Sequence, residues 1–149
     1  MDSKVGIQKV TWGTPDTFEY TLTTSYVASD PITVDFAKRL TLYGYYKGGS
    51  GSSTNTVSIY IEANPFDATE DASGAFWSQV GIYNDTAGTW AQEAAVFTAT
   101  QTTAGTYKNE VPIDFTNVNA KRIRLVVKEN VGAGSAGTAK FVIAKNDIF

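Results

Sequence analysis

Four stretches of the chain, residues 39–47, 56–62, 122–129 and 138–145, alternate apolar and polar side chains with a period near two. In the second, Val57, Ile59 and Ile61 fall on one side, and Ser58, Tyr60 and Glu62 on the other. In the third, Ile123, Leu125 and Val127 oppose Arg122, Arg124 and Lys128. Such alternation describes antiparallel strands with one face packed and one face wet. It predicts a core built from Leu40, Leu42, Val57, Ile59, Ile61, Ile123, Leu125, Val127, Phe141 and Ile143. Weaker strand patterns cover residues 5–12, 18–25, 32–35, 76–83, 93–98 and 107–113.

One segment is nearly repeated. Pro31-Ile32-Thr33-Val34-Asp35-Phe36 precedes Ala37-Lys38-Arg39-Leu40-Thr41-Leu42; later, Pro112-Ile113-Asp114-Phe115 precedes Ala120-Lys121-Arg122-Ile123-Arg124-Leu125. Each copy reads as a short strand ending near an acid, a turn, and then a long alternating strand. Each long strand runs into a Gly/Ser/Ala-rich loop, residues 48–55 and 131–137. Two sheets that need strands starting alike would use one device twice. The pattern predicts an all-β, antiparallel two-sheet β-sandwich of jelly-roll type, with 8–10 strands and one domain over residues 1–149. Residues 1–12 read either as an N-terminal arm or as an edge strand.

Composition narrows the chemistry. The chain has no cysteine and no histidine, which excludes disulfides, thiolate metal sites and the imidazole-based nucleophile mechanisms. A formal charge of −3 without any basic run argues against nucleic acid. No apolar stretch approaches membrane-spanning length, and no secretory leader pattern follows Met1. A chain of this length buries roughly 68–70% of its unfolded surface, enough for a core without staples.

The acidic loop from Asn64 to Asp71 offers Asp67, Glu70 and Asp71 as calcium ligands, although the spacing is not that of an EF-hand and a solvated acidic loop is the commoner explanation. No other cofactor is expected. Glu62, Glu93, Glu110 and Asp114 lie on or beside strands, so a carboxylate pair for glycoside hydrolysis is geometrically conceivable. Fifteen acids make such a coincidence ordinary, and the expectation is no enzyme. The glycine-rich loops lack the Lys-Ser/Thr and the helix that a phosphate cradle needs.

Aromatic residues are abundant, and Tyr43, Tyr45 and Tyr60 fall on the strand faces opposite Leu42 and Ile59. They suit burial against another subunit, stacking on sugar rings, or plain core packing under loops. The segment Val5, Ile7, Val10, Trp12 and the C-terminal Ile148 and Phe149 are apolar near the two ends. These nine residues are the expected interface of a homo-oligomer, with a trimer as the expected state. The alternative makes residues 5–12 an ordinary first strand.

The order Ile113-Asp114, Ala120-Lys121-Arg122-Ile123-Arg124-Leu125, Val127-Lys128-Glu129, then Gly137-Thr138, Lys140-Phe141 and Ile143 resembles two groups. One is the jelly-roll modules related to carbohydrate-binding and galactose-binding-like domains. The other is the small virion proteins of tailed bacteriophages. The leaderless start, the Thr/Ala/Gly/Asn-rich composition and the single bare domain favour the second. That resemblance implies a non-enzymatic capsid decoration or cement protein of the virion, self-associating and bound to a major capsid or other virion protein. A carbohydrate-binding module and an extracellular filament or surface-layer subunit remain the alternatives.

Overall fold

The computed structural model describes residues 6–13, 16–50, 55–84, 89–92, 95–97, 107–109, 112–115, 118–132 and 134–146. Among them lie fourteen strands and no helix. They are β1 (Gly6–Lys9), β2 (Tyr20–Thr21), β3 (Val27–Ala28), β4 (Ile32–Thr33), β5 (Arg39–Lys47), β6 (Thr56–Asn64) and β7 (Ser78–Gln79). There follow β8 (Gly81–Asn84), β9 (Thr89–Gln92), β10 (Ala95–Phe97), β11 (Lys108–Asn109), β12 (Ile113–Phe115), β13 (Arg122–Asn130) and β14 (Thr138–Asn146). The four stretches of strongest alternation became the four nine-residue strands. The count exceeds the expected 8–10 because weaker patterns break into two-residue pieces at turns.

Two six-stranded antiparallel sheets form the sandwich. The first runs β1-β14-β5-β11, with β2 also on β14 and β12 also on β5; the second runs β10-β6-β13-β3, with β4 also on β13 and β7 also on β6. Strands β8 and β9 pair separately. Registry in the first sheet sets Ile143 opposite Leu42, and in the second Ile59 opposite Val127 and Ile61 opposite Leu125. Because facing residues share a side of the sheet, these registers aim all ten expected core residues inward. Each of the ten is at most 2% exposed.

The repeated segment has a structural counterpart. The short strand of the first copy, β4, pairs with the long strand of the second, Ile32 opposite Ile123. The short strand of the second copy, β12, pairs with the long strand of the first, Ile113 opposite Leu42. Each copy thus starts its own long strand in one sheet and edges the other copy's strand in the opposite sheet. The turn of the first copy holds Asp35 and Phe36 at φ of 50° and 57°. Side chains resist that left-handed region, and the turn is tied down from the second copy: Asp35 N–H donates to Lys121 O at 2.9 Å, Phe36 N–H to Ala120 O at 2.7 Å, and Lys121 Nζ meets Asp35 Oδ1 at 2.9 Å.

The loops following the two long strands meet at one end of the sandwich. A Cβ on Gly49 would collide with Ser135 O, and one on Gly137 would lie 2.7 Å from Lys47 O and from the Tyr46 ring. Only glycine permits that approach. Beneath it Glu129, 1% exposed, accepts hydrogen bonds from the Tyr46 hydroxyl and from Gly137 N–H. Burial, with the Glu129 carboxylate added, holds the Tyr46 phenol well above its ordinary pKa. A buried carboxylate is tolerable when it is hydrogen-bonded in this way, and it ties β5 of the first sheet to β13 of the second.

One expectation is corrected here. Val10 and Trp12 were placed at a subunit interface, but they are 0% and 6% exposed within this chain's own core. Val10 N–H donates to Phe141 O at 2.9 Å, continuing the β1–β14 ladder, and the Trp12 ring stacks on Tyr20 with centroids 4.4 Å apart. Burying an indole removes a large apolar area from water, and here the chain's own sandwich does so, which makes the segment after Lys9 an internal strand end. Among its expected residues Ile7 stays outside, 79% exposed, and Val5 lies outside the described residues.

Candidate functional site

The outer face of the first sheet is built by registry. Lys9, Val142 and Tyr43 form one cross-strand row, Lys140 and Tyr45 the next, and Thr138 and Lys47 the last before the loops. Phe18 comes from the connection between Trp12 and β2, and Tyr107 from just before β11. The two rings insert among the lysines. Lys9 Nζ lies 4.8 Å from the Phe18 centroid and Lys140 Nζ 5.9 Å; Lys140 Nζ lies 4.3 Å from the Tyr107 centroid and Lys47 Nζ 4.8 Å. The result is a ladder, Lys9–Phe18–Lys140–Tyr107–Lys47, running across the sheet. Phe18, Tyr45, Tyr107 and Lys140 line a cleft of about 270 Å³ within it.

Charge in the ladder is only partly compensated. Glu19 meets Lys47 Nζ at 3.1 Å, and hydrogen bonding from Tyr107 and then Lys47 holds its carboxyl below the usual range. Partial burial raises the Tyr107 phenol, whose oxygen lies 3.3 Å from Thr138 Oγ1. Neither Lys9 nor Lys140 is within ion-pair distance of a carboxylate among the described residues. Chemically the cleft offers an ammonium donor, apolar ring walls, and a rim of hydroxyl and carboxylate groups.

The outer face of the second sheet carries a similar inventory with its two arginines held by acceptors. Arg124 pairs with Glu62 at 2.9 Å and lies 4.4 Å from the Trp77 centroid. Arg122 sits 5.0 Å from the same ring, and its Nε donates to Phe66 O at 2.8 Å. Lys128 lies 4.7 Å from the Tyr26 ring, which meets Tyr60 edge-on at 4.9 Å. Tyr60 therefore stands on the opposite side of the sandwich from Tyr43 and Tyr45; the three tyrosines form two surfaces.

The acidic loop is organised by its own donors. Asp67 Oδ1 accepts from Thr69 N–H and Glu70 N–H, both at 2.8 Å, while Glu70 Oε1 accepts from Asp67 N–H at 3.3 Å. Asp71, 4% exposed, accepts from Asn64 Nδ2 at 2.7 Å, Ala75 N–H at 3.0 Å and Phe76 N–H at 3.1 Å. Burial pushes Asp71 up, yet these donors bring it below the usual carboxylate range. Asp67, Glu70 and Asp71 thus act as turn and loop caps, and among the described residues no three acidic groups gather as a metal set. Of the acids considered for hydrolysis, Glu62 is held by Arg124, and Asp114 by Arg39 Nη2 and Thr41 Oγ1 at 2.6 Å each. Glu93 and Glu110 lie outside the described residues, as do Ile148 and Phe149.

Phe18, Lys140, Lys9 and Glu19 were not singled out from the sequence. Period-two alternation already puts Lys140 on an outward position, but its meeting with Tyr45 depends on the β5–β14 register. Phe18 and Tyr107 lie outside regular strands, and no local pattern aims them at the same lysine.

No family model matches the chain, and no curated protein matches it. Among solved structures the fold aligns with a chain described as "Structure of infectious bursal disease virus Gt strain", at a TM-score of 0.49 and 11% identity over 95% of this chain. The alignment covers 32% of that chain, so this protein spans about a third of its length. Likeness of that degree bears on neither ligand nor partner.

Proposed function

We propose that the protein is a non-enzymatic structural subunit of a virus particle, one that associates with its own copies, and with a protein shell, through the free edge of its first sheet. The observation that carries association is β1. Among the described residues it ends the first sheet with no strand on its outer side, Ile7, Gln8 and Lys9 are all exposed, and Ile7 is the most exposed large apolar side chain. An edge with unpaired backbone groups and an outward isoleucine favours strand addition, and Lys9 blunts only its end. The resemblance of the C-terminal third to small phage virion proteins supports the particle role.

Native mass spectrometry tests the association. The expected wild-type species is a homo-oligomer, with the trimer as the leading stoichiometry. Ile7→Asp is expected to yield monomers with an unchanged melting transition, because the side chain points to solvent. A wild-type monomer at concentrations up to about 100 μM would contradict the reading, since subunits held by less than about −5.5 kcal/mol do not build a stable shell layer.

A carbohydrate-binding reading is favoured by one observation, the ring-lined cleft of the first sheet.

A further inference from the structure

The cleft lies at the loop end of the first sheet, away from Ile7. Ile7 faces Ala144 and Lys140 lies four residues earlier on β14, a separation of about 13 Å along the strand. Its volume, about 270 Å³, falls just below the roughly 300–1,000 Å³ of sites for drug-sized ligands, which limits an occupant to about one ring. Three aromatic side chains wall it, and Lys140, with no carboxylate within ion-pair distance among the described residues, stands between two of them. The Thr138 hydroxyl, the Tyr107 hydroxyl and the Glu19 carboxylate stand beside it as further hydrogen-bonding groups.

From this we infer that the cleft is a binding site for an acidic sugar, a pyranose carrying a carboxylate. Such a ligand has an apolar face of C–H groups for the rings, an anion for Lys140, and hydroxyls for the mixed rim of donors and acceptors. A neutral sugar leaves the Lys140 ammonium without an anion. A single-stranded nucleic acid would need a row of rings for successive bases, whereas this cleft has room for about one ring. The chain's overall charge of −3 also repels a polyanion more than it repels one carboxylate. The inference rests on the carbohydrate-binding reading of this cleft, which it sharpens to an acidic sugar, and does not depend on the assembly reading.

The test is ligand-observed NMR on the full chain with three probes, glucuronate, N-acetylneuraminate and glucose, at up to about 20 mM, since a one-ring ligand binds in roughly the millimolar range. At least one of the two acids is expected to bind and glucose is not. Lys140→Gln is expected to weaken acid binding about tenfold or more through loss of a charge-assisted hydrogen bond, while Lys140→Arg retains it. Lys128→Gln, on the opposite face, is expected to change nothing. Four results overturn the inference: no acid binding in the wild type, equal binding of glucose, undiminished binding in Lys140→Gln, or displacement of the acid by a thymidine oligonucleotide that binds tighter. None of these depends on oligomeric state, so the site and the association at β1 fail separately.

Discussion

The two outer faces of the sandwich use the same materials to opposite ends. Each stacks cationic side chains on aromatic rings: Lys9, Lys140 and Lys47 on Phe18 and Tyr107 in the first sheet, Arg122, Arg124 and Lys128 on Trp77 and Tyr26 in the second. In the second sheet Arg124 has a carboxylate, Arg122 a backbone carbonyl, and the capped acidic loop folds alongside. In the first, Lys9 and Lys140 have no carboxylate within ion-pair distance among the described residues, as Lys128 has none in the second, but here the rings stand apart far enough to leave a cleft. A ring over a cation is therefore no sign of a site by itself. What separates the two faces is whether an unpaired cation stands beside a ring-lined cleft.

The largest expected effect is one the faces share. Leu42→Ala in the first sheet and Leu125→Ala in the second are each expected to cost about 2–5 kcal/mol in chemical denaturation, because both side chains are in one buried cluster. A marked inequality would mean that the sheets do not share a core, and would undo the comparison. Next come the cations. Arg124→Ala removes an ion pair and a Trp77 contact and is expected to cost about 1–2 kcal/mol. Lys140→Ala, which removes ring contacts but no ion pair, is expected to cost less, about 0.5–1 kcal/mol. Equal losses would make the first face as structural as the second.

Acid provides a smaller and graded contrast. The folded state holds Asp71 below its ordinary value, so its contribution is present above that value, near pH 3.8, and is lost as pH falls through the folded one. Thermal melts are expected to be flat from pH 7 to about 5 and to drop below about 4, with a shallower drop in Asp71→Asn. Asp67, Asp114 and Glu19 are lowered too and add slope of the same sign, so the variant flattens the limb in part. The smallest expected effect is that of calcium. With the three loop carboxylates already accepting from the loop's own donors, millimolar calcium is expected to leave the melting temperature unmoved; a rise would restore the loop as a metal site.

Much of the fold was legible because alternation reports burial directly. Leu40, Ile59, Leu125 and Phe141 follow from period two alone, and the repeated Pro-Ile start pointed to two sheets. Less was legible at the site. Whether Tyr45 and Tyr60 share a surface depends on which sheet each strand joins, and alternation gives a side without saying whose. Trp12 was misjudged for a related reason: an apolar run near the end of a chain looks the same whether it docks on a neighbour or on Phe141 of its own chain. Glu129 gave no warning at all, since a carboxylate at a strand end reads as solvated until the loops bring Tyr46 and Gly137 over it.

The central claim, that the first sheet presents the working edge while the second is closed by its own loops, is tested most directly by hydrogen exchange at two protein concentrations. Amides of Gly6–Lys9 are expected to gain protection as concentration rises, while those of Ser78–Gln79, at an edge of the second sheet, stay unchanged. Protection that is independent of concentration at β1, or that rises at β7 instead, would contradict the account.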